Sequence, residues 1–122
     1  MTNKRIEMFN ELNLEKETFV IRALDGDTLQ TDVGIIRLLG VDTPEISKKE
    51  PGAQEAKDFL NQLAGKIVRQ ERDEHNLDWG GLRKLRYVFF EGRFINAELI
   101  QKGHAKLFMD EGLIYEKELK GG

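Results

Sequence analysis

Apolar residues follow two rhythms along this chain, and the change from one to the other outlines its architecture. The run Thr18-Phe19-Val20-Ile21-Arg22-Ala23-Leu24 is rich in strand formers, and Asp25-Gly26 after it is a tight-turn signal. A second strand is predicted over Asp27–Asp32, a turn at Val33-Gly34, and a third strand over Ile35–Val41. Strands joined by such short turns form an antiparallel meander. Pro44 ends the third strand, and Ser47–Gly52 is a polar loop. The spacing then lengthens to three and four residues: Ala53, Ala56, Leu60 and Leu63 share a helical face, with Phe59 beside them and Gly65 where a C-cap belongs.

The strand rhythm returns over Lys66–Arg72, and Asp73–Gly81 reads as a loop with one aromatic, Trp79. A fifth strand covers Arg83–Phe90 and turns at Glu91-Gly92 into Arg93-Phe94-Ile95. Asn96 is the expected N-cap of a helix over Ala97–Lys102 that Gly103 terminates, and Leu113–Lys120 begins a last helix. Residues 1–15, with Ile6, Phe9 and Leu12–Leu14, suit a short amphipathic helix or an edge strand equally. We therefore expect an N-terminal extension over 1–15 and a single domain over 16–122 whose last helix is cut short. Five short strands with an inserted helix give an α+β, mainly β, architecture. A small, partly open five-stranded barrel of the OB type with two to three packed helices fits it, and a split sheet with helices on one face competes.

With 122 residues the chain is large enough for one modest core. It has no cysteine, which excludes disulfides and thiolate-bound zinc. No apolar run approaches the roughly 20 residues that span a bilayer. The start, Met1-Thr2-Asn3-Lys4-Arg5, has no apolar stretch behind it and does not read as a signal peptide. The expected setting is the cytoplasm, or the mature part of an exported protein. Net charge is −3, which argues against a sequence-independent nucleic-acid coat protein. Yet Arg83, Lys84, Arg86 and Arg93 face only Glu91 between residues 83 and 93, a local basic stripe that fits a nucleic-acid groove or a solvated strand face.

The candidate chemistry is concentrated between Leu24 and Glu45. Asp25 and Asp27 flank a glycine, Arg37 interrupts an apolar strand, and Asp42-Thr43-Pro44-Glu45 follows directly. Four carboxylates gathered on adjacent strand ends repel one another unless a cation joins them. Asp25 is ordinary turn chemistry, whereas Asp27 opens a strand, where aspartate is unfavourable unless something holds it. Arg37 lies between Ile35-Ile36 and Leu38-Leu39, which suggests a strand buried on both faces. There it would be either a structural ion pair or a phosphate clamp. Pro44 holds Thr43 extended, which can turn its carbonyl toward a cation, and such oxygen ligands suit calcium before magnesium. The pattern reads as a metal-dependent phosphodiesterase site.

These blocks resemble the staphylococcal nuclease (thermonuclease) family. Leu24-Asp25-Gly26-Asp27-Thr28 comes first, then Ile36-Arg37-Leu38-Leu39-Gly40-Val41-Asp42-Thr43-Pro44-Glu45. Arg83-Lys84-Leu85-Arg86-Tyr87-Val88-Phe89 follows, then Gly92-Arg93-Phe94-Ile95-Asn96-Ala97-Glu98-Leu99-Ile100, and last Gly103-His104-Ala105. The likeness covers roughly residues 17–108. It implies an OB-fold barrel and calcium-dependent hydrolysis of DNA and RNA phosphodiesters on the 5′-oxygen side, leaving 3′-phosphate ends. By position, Asp27 and Asp42 would supply calcium carboxylates and Thr43 a carbonyl. Glu45 would serve the attacking water, and Arg37 and Arg83 would hold the phosphate. Lys48, Lys49, Trp79 and Lys84 are further candidate contacts to the nucleic acid. Single strands are the expected preferred substrate and a monomer the expected state.

Two departures from the family pattern bear on substrate handling. Leu82 stands where members often have glycine before the second arginine, and Met109 where some carry a tyrosine on the bound nucleotide. His75 and His104 are isolated and make no site of their own. The alternative function is an OB-type module that binds nucleic acid or protein without cutting.

Overall fold

The computed structural model describes residues 16–73, 78–79, 83–108 and 112–121. The predicted meander is present: β1 (Lys16–Asp25), β2 (Thr28–Thr31) and β3 (Gly34–Leu38) pair antiparallel in sequence order. After β4 (Val41–Asp42) come helix α1 (Ala53–Leu60), a 3-10 turn over Asn61–Leu63, and β5 (Ile67–Glu71). Then follow β6 (Asp78–Trp79), β7 (Arg83–Phe90), β8 (Arg93–Phe94) and helix α2 (Ile95–Gln101). A short β9 (Lys106–Leu107) and helix α3 (Glu116–Leu119) complete the order.

Five strands close into a ring. β1 pairs with β2 and β5, β2 with β3, and β5 with β7, all antiparallel. The last seam, β3 with β7, is parallel, with Arg37 across from Leu85. The barrel is thus closed and mixed rather than partly open, and no strand of the ring keeps a free edge. Its core is built from Val20, Leu29, Ile36, Leu38, Tyr87 and Val88, with Leu60, Leu63, Ile95 and Leu99 brought in by the helical segments.

Three local expectations change. The strand carrying Arg37 is not buried on both faces: Ile36 and Leu38 are buried while Ile35 and Arg37 are partly exposed, so the alternation simply puts one face on the core. That strand also stops before Pro44. Gly40 breaks it at φ 78, and a Cβ there would lie 2.5 Å from Leu119 of α3. Only glycine allows both the left-handed turn and the close approach.

Asn96 is not an N-cap. Phe94 holds that position, and Asn96 is fully buried inside the first turn of α2. Its Oδ1 accepts from the Val88 N–H at 2.8 Å, and its Nδ2 donates to the Leu39 carbonyl at 2.8 Å. A buried amide with one partner on β7 and another at the residue after β3 ties the helix to the ring where β3 ends.

Helix α1 presents Ala53, Ala56 and Leu60 inward as its spacing predicts, and Gly65 (φ 78) turns the chain into β5 after the 3-10 turn. Among the described residues no helix is long and apolar enough to cross a membrane. The expectations for residues 1–15, His75, Leu82 and Met109 lie outside the described residues, as do the side chains of Trp79 and Arg83.

Candidate active site

The site begins with a glycine that has no room to be anything else. A Cβ on Gly26 would lie 2.6 Å from the Ala56 Cβ and 2.7 Å from Thr43 Oγ1. The Asp25-Gly26-Asp27 turn is therefore pressed between α1 and the segment after β4. Two stretches distant in sequence, 25–27 and 42–45, become neighbours because of that contact.

Asp27 is locked in place. Its Oδ1 accepts from the Thr28 hydroxyl at 2.9 Å and its Oδ2 from the Thr43 N–H at 3.1 Å. Arg37, across from Thr28 in the β2–β3 pairing, sets Nη2 3.2 Å from the same Oδ2, with side-chain exposures of 14% for Arg37 and 10% for Asp27. The guanidinium also donates through Nη1 to the Leu38 carbonyl at 2.7 Å, which fixes its plane. From the other side, Asp42 Oδ1 lies 3.9 Å from Arg37 Nη2, and this carboxylate is 58% exposed. Two carboxylates thus converge on one arginine, one rigid and nearly buried, the other open to solvent. Beside them the buried Thr43 Oγ1 has no hydrogen-bond partner among the described residues.

Glu45 belongs to the loop that follows. Its N–H donates to Glu50 Oε1 at 2.7 Å, and its carboxylate, 46% exposed, pairs with Lys48 Nζ at 3.1 Å. That hydrogen bond and the charges of Glu45 and Glu50 raise the pKa of Lys48. Asp25 Oδ1 takes the Ile46 N–H at 3.4 Å, which holds the start of the loop against the turn. Lys49 is exposed, with φ 53.

The four carboxylates do not form one cluster. Asp27 and Asp42 share Arg37, Glu45 is paired with Lys48, and Asp25 serves backbone groups. Among the described residues no three His, Cys, Asp or Glu side chains gather as a metal site. Among the described residues, Arg37 meets Asp27 and Asp42, and Lys48 meets Glu45. The donors that do converge, Asp27, Asp42 and the adjoining Thr43, offer oxygen only, a set suited to a hard cation that also keeps water ligands.

The structure places the remaining candidates around this centre. The Arg83 backbone pairs with Ile35, two positions before the level of Arg37. Lys84 lies alongside Gly34 at the opposite end of β3 from Leu38, its Cε 3.8 Å from where a Gly34 Cβ would be. Trp79 pairs with Arg83 through the backbone. Sequence reasoning missed Glu50, which orients the Glu45 backbone. Its place five residues on in a polar loop carries no pattern that would single it out.

Residues 35–120 match the family model described as "Staphylococcal nuclease homologue". Among curated relatives, a thermonuclease of Staphylococcus hyicus is 36% identical over 104 residues, covering 77% of this chain and 61% of its own. A thermonuclease of Staphylococcus intermedius is 34% identical over 100 residues, covering 74% of this chain and 59% of its own. An uncharacterized protein of Bacillus anthracis is 38% identical over 94 residues, covering 70% of this chain and 44% of its own. The chain thus spans less than two thirds of the length of each of these relatives.

Proposed function

The chain belongs to the staphylococcal nuclease homologue family, and from that premise we propose that it is a calcium-dependent nuclease hydrolysing DNA and RNA phosphodiesters on the 5′-oxygen side to leave 3′-phosphate ends. The observation that carries this reading is the convergence of Asp27 and Asp42 on a nearly buried Arg37. A guanidinium so placed has donors to offer an anion that approaches past the exposed Asp42. A phosphodiester is such an anion, and its hydrolysis needs positive charge on the non-bridging oxygens and an oriented water.

Asp27, Asp42 and the Thr43 carbonyl would hold the ion, with water completing the six to eight oxygens that calcium takes. When bound, the ion would polarise the phosphate and help ionise water. The protein's own residues do the rest. Arg37, its plane fixed by the Leu38 carbonyl, forks onto the phosphate oxygens. Arg83, on the strand beside β3, is assigned the second fork. Glu45 orients the water and takes its proton. In the structure its carboxylate is held by Lys48, and that exposed pair opens at little cost when substrate enters. Lys48 and Lys49 then remain as contacts to the nucleic-acid backbone, and single strands suit so open a cleft.

Cleavage of denatured DNA in calcium, in magnesium and in excess chelator tests this reading. The expected result is calcium-dependent cutting with 3′-phosphate ends, abolished by chelator. Retained single-strand binding without cleavage under all three conditions would convert the reading to a non-catalytic OB-type binding module.

A further inference from the structure

Adjoining the site, and sharing Asp42 and Thr43 with it, lies a cavity of about 380 Å³ whose other lining residues these roles leave unused. It is lined by Asp42 and Pro44 on one wall, Glu50 and Pro51 on a second, and His104 and Lys106 on the third. The third wall is held in register with the first because Asp42 pairs with Lys106 in the β4–β9 ribbon. His104 is held at the cavity by its N–H donating to the Leu99 carbonyl at 2.8 Å, and its ring lies 5.1 Å from that of Phe59 at an angle of 33°. A cavity of this size is at the small end of ligand pockets, roughly 300–1,000 Å³. Its volume has room for one nucleoside.

We propose that this cavity is a base subsite for a nucleotide flanking the scissile phosphate, and that it selects guanine. This rests on the nuclease reading above. The apolar rings of Pro44 and Pro51 and the imidazole of His104 line the cavity and can pack against a base. The polar groups decide which base. Asp42 is committed to the ion in the proposed function, which leaves Glu50, acceptor-only, and Lys106, donor-only, to meet a base. Guanine alone of the four bases presents two adjacent donors, N1–H and N2–H2, beside the acceptor O6. Its edge therefore meets a carboxylate and an ammonium together. Cytosine would set its N3 lone pair against the carboxylate, and uracil or thymine offers one donor between two acceptors. Adenine has one donor beside a bare ring nitrogen. Glu50 is the discriminating group, since one carboxylate oxygen meets the Glu45 N–H and a carboxylate keeps acceptor capacity beyond that bond.

Two measurements test the proposal. In the first, guanosine, adenosine, cytidine and uridine are titrated separately into the intact protein, and the His104 ring and Ala105 methyl resonances are followed. Guanosine is expected to shift both at concentrations at least tenfold lower than the other three. In the second, cut sites are sequenced after limited digestion of a random single-stranded library. Guanine is expected at one position next to the cut, with a preference on the order of tenfold, the scale of one good paired contact. That preference should fall several-fold in Glu50→Gln and in Lys106→Met. Equal nucleoside shifts, or cut sites without base preference, would overturn the subsite while leaving the nuclease reading intact. Absence of cleavage with a selective guanosine shift at His104 would overturn the nuclease reading and, with it, the flanking-nucleotide role.

Discussion

Two aspartates of this barrel receive opposite treatment. Asp73 is fully buried, and its Oδ2 accepts both the Tyr87 hydroxyl at 2.5 Å and the Ile114 N–H at 2.7 Å. Burial and that carboxylate together push the Tyr87 pKa far above its ordinary value. Asp42 is 58% exposed and has Arg37 at the edge of ion-pair distance. An acid whose lone pairs are met by the protein stabilises the fold. An acid held at a fixed place with acceptors left open can meet something else. The contrast identifies the reactive region more sharply than any count of charges, because both regions contain acids.

Substitutions can separate the two regions. The largest effect is expected from Arg37→Ala, about 10⁴-fold in the rate of calcium-dependent cleavage, with the melting curve moved far less than activity. Equal losses of rate and stability would make Arg37 a structural partner of Asp27 and erase the contrast. Glu45→Gln is expected to lower the rate by about 10³-fold at unchanged stability, measured in initial rates on denatured DNA. A rate near that of the parent would remove Glu45 from the chemistry.

Asp73→Ala should do the reverse. Leaving the Tyr87 hydroxyl and the Ile114 N–H without their acceptor costs about 3 kcal/mol in urea unfolding, while the rate per folded molecule stays at the parent value. Gly26→Ala couples the regions: the overpacked turn costs about 2 kcal/mol and moves Asp27 relative to Thr43, so both stability and rate fall. The smallest effect concerns pH. Burial and the hydrogen bond to Glu71 raise the Tyr115 pKa from 10.0 to about 12. The unfolded chain therefore releases that proton first, and stability falls as pH rises from about 10 to 12. In Tyr115→Phe that part of the alkaline loss should vanish, at a cost of about 1 kcal/mol at neutral pH.

Much of this was legible in the sequence where neighbouring residues decide the outcome. The meander, the inward stripe of α1 and the strand Arg83–Phe90 follow from local period and turn chemistry. Asp27, Arg37, Asp42 and Thr43 do meet, as their positions at strand ends suggested. What stayed hidden depends on contacts between distant segments. Nothing near Gly26 announces Ala56, and nothing near Gly40 announces Leu119. Asn96 has the look of a cap because asparagine favours helix starts, yet burial with backbone partners on β7 and just after β3 outweighs that preference. Glu45 was expected among the other acids, and the loop instead gives it Lys48 and Glu50.

The parallel seam between β3 and β7 has a consequence for the order of events during synthesis. Residues 25–45 are made before residues 83–96 and already hold the Leu38 and Thr43 N–H groups on Asp27, but the strand end that leads to Asp42 is also clasped by later residues, through the Leu39 N–H on the Arg86 carbonyl and the Asn96 amide on the Leu39 carbonyl. Closure therefore waits for the chain to pass Asn96, and a ring shut by such distant partners is slow to form. A nascent chain that ends before β7 carries all the acids of the cleft and the contacts of Asp27, but not the later clasp at Leu39. The cleft is completed only once β7 and α2 have joined the ring.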